Sequence, residues 1–182
     1  MKTIQVPGYD QVRPEAQLLF DQLKKQLGKV PNLYAAMGYS ASTLKGFLDF
    51  ENALSKSVFT PKEREAINLV VSEVNSCNYC LAAHTMIGTM KGFTNDEILG
   101  FRNADAANSK LNTVLHLAKS ITENKGAADQ SLIEDFFNAG YNEAALVELV
   151  GLITAKIFTN YIYALTSVPI DFPEVAALSK IY

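Results

Sequence analysis

The sequence predicts an all-α fold, and three observations carry that reading. Apolar residues recur at three- and four-residue intervals from Leu19 to Leu165. Thr60-Pro61-Lys62-Glu63 and Thr94-Asn95-Asp96-Glu97 both have the hydroxyl-to-carboxylate spacing of a helix capping box. No alternation of strand and helix patterns appears, and no Asn-Gly or Asp-Gly pair marks a hairpin.

Each element follows from local chemistry. Pro14 to Leu27 carries Leu19, Leu23 and Leu27 as one stripe, and Gly28 stops it. Ser40 or Ser42 caps a helix bearing Leu44, Phe47, Leu48 and Leu54. Thr60 opens the next, with Pro61 at the first position, where a missing N–H costs nothing. Its apolar face is Ile67, Val70, Val71 and Val74. A helix then runs from about Ser76 to Lys91 and ends at Gly92, and Thr94 opens another. Leu111, Val114, Leu115, Ala118 and Ile121 mark a helix closed near Gly126. Leu132, Ile133, Phe136 and Phe137 mark a short one before Gly140. Asn142 caps a long helix to about Leu165, ended by Val168-Pro169. Val70-Val71 and Ile153-Thr154 have strand-like composition but sit inside longer helical periods. No long polar linker divides the chain, so residues 1–182 form one expected domain, with the joint around Asn103–Ser109 its most flexible-looking loop.

Composition narrows the function. With 182 residues, 48% of them apolar and 19% charged, the chain can bury a sizeable core and is not disordered. Sixteen basic residues against nineteen acidic give a net charge of −3. No basic block exists to neutralise a row of phosphates, so nucleic acid is not an expected partner. Met1 to Pro7 has no apolar core of a secretory signal. The most apolar stretch, Leu146 to Phe158, contains Glu148 and Lys156 and is too short to span a bilayer. The expected location is the cytoplasm, away from membranes.

An internal comparison adds a possible repeat. At an offset of 83 residues Glu65 falls on Glu148, Leu69 on Leu152, Val70 on Ile153 and Val74 on Ile157. Cys77, Cys80 and His84 then fall on Asn160, Tyr163 and Ser167. Two helical hairpins about a pseudo-twofold axis would give this pattern, and so would any two apolar helices.

The chemistry concentrates between Glu65 and His84. Both cysteines of the chain lie there as Cys77-Asn78-Tyr79-Cys80. In a reducing compartment such a pair points to redox or metal chemistry rather than a structural staple. Cys80 and His84 are four apart and share a helical face. Asn75-Ser76 reads as a helix break, which places Cys77 in the first turn of the new helix. Glu65, on the preceding helix, can orient His84 if the two helices pack as a hairpin. A Cys-x-x-Cys pair is also half of a zinc site, but no second pair of ligands accompanies it. His116 lies on the polar flank of its helix with Asn112 and Lys119 and reads as surface. Tyr79 and Glu73 are candidates for the pocket wall; their plainer roles are helix packing for Tyr79 and a solvated face for Glu73.

The pattern Glu65-x11-Cys77-x2-Cys80-x3-His84 resembles the carboxymuconolactone decarboxylase superfamily, and within it the AhpD-like alkylhydroperoxidases. Gly28-Lys29-Val30-Pro31-Asn32-Leu33 and the run Thr60 to Gly88 resemble its peroxidase-related members. The resemblance implies an all-helical AhpD-like bundle that assembles as a homo-oligomer, a trimer or hexamer, with no bound cofactor. It implies that Cys80 is the peroxide-reactive thiol, that Cys77 resolves it by forming the Cys77–Cys80 disulfide, and that Glu65 and His84 relay protons. The substrate would be a hydroperoxide, and the reductant an external lipoyl-type or thioredoxin-like dithiol. Some peroxidases of the family carry a histidine beside the second cysteine where this chain has Tyr79, which leaves one proton carrier fewer. Two other readings stand beside it. One is non-redox acid/base chemistry of the decarboxylase type on Glu65 and His84. The other is a non-catalytic helical oligomer with a redox-sensing disulfide.

Overall fold

The computed structural model describes residues 4–178. Among them are nine α-helices and no strand: α1 (Pro14–Leu27), α2 (Asn32–Met37), α3 (Ala41–Leu54), α4 (Pro61–Val74), α5 (Asn78–Met90), α6 (Asn95–Arg102), α7 (Ser109–Glu123), α8 (Gln130–Asn138) and α9 (Glu143–Thr166). Ser40, Thr60, Thr94, Asn108 and Asn142 each accept the N–H three residues on, which satisfies an otherwise orphaned helix donor. Both capping boxes close: Glu63 and Glu97 accept the N–H of Thr60 and Thr94 at 2.7 and 2.8 Å. Gly28 ends α1 at φ +78°, a conformation closed to most side chains.

The centre of the molecule is α4. Ala66, Ile67, Leu69, Val70 and Val71 are all buried, so the helix is apolar around most of its circumference. It is enclosed by α5, α6, α7 and α9. Leu115 and Leu117 of α7 and Leu149 and Ile153 of α9 complete the core. Each fully buried aliphatic side chain of this kind contributes roughly 1.5–3 kcal/mol. Glu65 at the start of α4 and Lys156 in α9 are charged yet buried within this apolar surround.

Several details differ from the sequence pattern. The inward face of α1 is Ala16, Phe20 and Leu23, while Leu27 is exposed. The face turns because Phe20 docks on Gly38: a Cβ there would lie 2.4 Å from the phenyl Cζ. Helix α2 is too short to show a period and was not predicted. The Asn103–Ser109 joint is pinned rather than loose, with Ala104 buried and the Ala106 N–H donated to Asn112 Oδ1 at 2.9 Å. No second hairpin exists at the 83-residue offset, because α9 runs unbroken where α4 and α5 are separated by a turn. At 24 residues α9 is also long and apolar enough to cross a membrane, which the Leu146–Phe158 stretch is not. Here it packs into the bundle and buries Lys156, Thr159 and Asn160.

Candidate active site

The site is built at the α4–α5 corner. Asn75 and Ser76 close α4 with the Ser76 N–H on Glu73 C=O and the Cys77 N–H on Ser72 C=O, both 2.9 Å. Ser76 takes the left-handed position at φ +52°, where glycine is usual. The chain therefore reverses within two residues, and Cys77 becomes the N-cap of α5 rather than part of its first turn. Its Sγ accepts the N–H of Cys80 at 3.4 Å. Both thiols are free and buried, one helical turn apart.

Their ionisation is unequal. A hydrogen bond with Cys80 and burial push the Cys77 thiol far up. Cys80 is held below the ordinary thiol range, first by the hydrogen bond from Cys77, then by the charges of Lys156 and His84, against the opposing effect of burial. Two thiols in contact cannot both ionise in a dry site, so the anion settles on Cys80. Local spacing places His84 on the Cys80 face of the helix. The structure gives the larger parts of this bias to Cys77 and to Lys156, which sequence reasoning missed. Lys156 lies 76 residues beyond Cys80, and nothing local links them.

Glu65 and His84 meet directly, Oε2 to Nδ1 at 2.7 Å. Lys91 Nζ holds the other carboxylate oxygen at 2.8 Å and also reaches the Pro61 carbonyl. Burial alone would raise the Glu65 pKa; His84 and Lys91 outweigh it and hold the carboxyl at about 2. An ionised carboxylate only accepts, so Nδ1 carries the proton and Nε2 is left for the cavity. No hydrogen bond joins His84 to Cys80 among the described residues.

Cys80 and His84 line a cavity of about 370 Å³ with Leu33, Tyr34, Ile87, Met90, Lys156 and Phe172. Its walls are mostly apolar, as in sites that take small organic ligands. Tyr79 also lines it and is 3% exposed. The phenol donates to Asp171 Oδ1 at 2.6 Å and accepts the Leu33 N–H at 3.1 Å. Its ring packs on Tyr163 and edge-on to Phe172. Asp171 in turn pairs with Lys29. Tyr79 thus locks the segment after α9 over the cysteines. Glu73 is not in the cavity: it pairs with the buried Arg102 Nε at 2.7 Å, and Arg102 also donates to the Ala176 carbonyl. The partner cation, 29 residues away in sequence, draws it to that side. His116 is exposed, as expected. Asn160, fully buried, spans α9 to α4 through Asn75 (2.9 Å) and Ser72 (3.5 Å). No three His, Cys, Asp or Glu side chains gather as a metal-ligand set among the described residues.

This arrangement of helices recurs in solved structures. An uncharacterized peroxidase-related protein from Silicibacter sp. TM1040 superposes with a TM-score of 0.78 at 22% identity, over 96% of this chain and 94% of its own. An uncharacterized peroxidase-related protein with the alkylhydroperoxidase AhpD core, from Ralstonia eutropha JMP134, gives 0.80 at 17% identity over 94% of each chain. The debrominase Bmp8, in a cysteine-to-alanine form bound to 2,3,4-tribromopyrrole, gives 0.78 at 18% identity over 94% and 92%. These likenesses define the fold as AhpD-like. Residues 41–122, from α3 to α7, match the model of the carboxymuconolactone decarboxylase family. The chain is similar to that family over this span. Glu65, Cys77, Cys80 and His84 all fall inside the matched span, whereas Lys156, Asn160 and Asp171 lie beyond it. No curated protein matches the sequence.

Proposed function

We propose that the protein is a thiol-dependent peroxidase of the alkylhydroperoxidase type. The observation that carries this reading is the Glu65–His84 contact set behind a cavity that contains the more acidic of two adjacent thiols. The Cys80 thiolate attacks the terminal oxygen of a hydroperoxide and breaks the O–O bond. The products are a Cys80 sulfenic acid and an alkoxide. His84, oriented by Glu65, supplies the proton that turns the alkoxide into an alcohol. Cys77 then attacks the sulfenic sulfur, a disulfide forms, and hydroxide leaves with the Cys77 proton as water. An external dithiol reduces the Cys77–Cys80 disulfide and is itself oxidised to a disulfide. The apolar walls suit an organic hydroperoxide, and the two free thiols suit a reducing compartment such as the cytoplasm.

The decarboxylase-type alternative leaves Cys77 without a task. A one-turn redox sensor needs no cavity. Debromination, the activity in the name of Bmp8, could use the same thiols and apolar cavity in this chain, so it is tested alongside. The experiment is turnover of cumene hydroperoxide with excess dihydrolipoamide, followed by alcohol release, with tribromopyrrole as the parallel substrate. Repeated turnover of peroxide supports the proposal. A single equivalent consumed, or bromide release without peroxide turnover, overturns it.

A further inference from the structure

Lys156 is a lysine in an unusual place. It is 5% exposed, near the middle of α9, and lines the cavity that holds Cys80. Among the described residues it makes no ion pair and its ammonium makes no hydrogen bond. Lys156 lines the cavity beside Cys80, and an anion facing it there offsets the cost of drawing an ammonium out of water. The other cations nearby are committed. Lys91 and His84 share Glu65, and Lys29 holds Asp171. The titratable and charged groups facing Cys80 are Cys77 and His84 on its own segment, Glu65 behind His84, Tyr34 on α2, and Lys156 and Tyr163 on α9. Both tyrosines are pushed toward the neutral phenol by burial. Glu65 already has two partners. Cys80 is the acid left for Lys156.

We propose that Lys156 is a positioning residue whose buried ammonium serves as the counter-ion of the Cys80 thiolate. The inference rests on Cys80 as the reactive thiol of the proposed peroxidase. The fold supports it. Asn160, one turn further along the same face of α9, is fixed to Ser72 and Asn75 beside the cysteines. That face of α9 is therefore held against the thiol pair. A cation at this depth is little screened by salt. It holds the thiolate once His84 has taken the thiol proton, the proton that His84 then returns to the leaving oxygen.

The test is a thiolate titration in a Cys77→Ser background, where Cys80 is the remaining cysteine. Absorbance near 240 nm and the rate of iodoacetamide alkylation are followed against pH. Lys156→Met, which keeps the length of the side chain, should move the midpoint up and cut thiolate near neutrality at least about tenfold. Lys156→Arg should restore most of it. A folded Lys156→Met protein with the parent midpoint overturns the proposal. If Lys156→Met does not fold, Lys156→Gln gives a second route. Its Cys80 midpoint should also move up, and a folded Lys156→Gln protein with the parent midpoint overturns the proposal equally. Neither measurement uses peroxide. A protein that shows the shifts yet fails to turn over peroxide retires the peroxidase reading and leaves the lysine's role standing.

Discussion

Replacing Glu65 with glutamine isolates the charge at the centre of the site. The amide keeps the shape of the carboxylate, and its oxygen can still accept from His84 Nδ1. Its NH2 group then faces the Lys91 ammonium, donor against donor. The structure sets the magnitude. The Glu65 carboxyl falls from 4.5 to about 2 in the folded protein. At about 1.4 kcal/mol for each pKa unit, this corresponds to about 3 kcal/mol of stability near neutrality. For a chain of this size that is roughly 6–12 °C in Tm. Because the folded pKa is depressed, the contribution is complete above about pH 4.5 and is lost as pH falls toward about 2. The gap between parent and Glu65→Gln should therefore be widest at pH 7 and close on acidification. Urea denaturation at pH 7, 5, 4 and 3 measures it. The same variant should lose peroxide turnover by a factor on the order of 10²–10⁴, the range of a general acid–base contribution. A stability gap that does not change with pH would refute the ion-pair reasoning. Near-normal turnover would refute the relay.

Three further outcomes follow from the geometry. Treated with one equivalent of cumene hydroperoxide, Cys77→Ser should accumulate a dimedone-trappable sulfenic acid on Cys80, while Cys80→Ser should remain unmodified by mass spectrometry. Tyr79→Phe removes the bonds to Asp171 and to the Leu33 N–H and should cost about 1–3 kcal/mol, with faster amide exchange of Leu33 and its neighbours. The exposed apolar residues Val147, Val150, Tyr161 and Leu165 lie on α9 and suit burial against a second copy. Light scattering at micromolar concentration should give three or six subunits, and a monomer would count against assembly.

How much of this was legible in the sequence depended on the range of the forces involved. The helices were readable because capping, proline placement and 3.6-residue periodicity act within a few neighbours. Thr60 and Glu63 need only each other to start α4. The Cys77–Cys80–His84 cluster was legible for the same reason, since three and four positions are one helical turn. Glu65 could be named as a partner of His84 only on the assumption of a hairpin. The turn at Asn75-Ser76 supplied that hairpin, and it also moved Cys77 to the helix cap. The rest was decided by packing between segments far apart in the chain. Phe20 turned α1 because Gly38 left room for its ring. Arg102 withdrew Glu73 from the pocket. Asp171 made Tyr79 a clasp, and α9 brought Lys156 and Asn160 to the thiols. A lysine in an apolar run looks in sequence like a break in a greasy helix. Its role as a charge in a dry cavity depends on which anion faces it, and that is set by the crossing of α5 and α9, which no local pattern encodes.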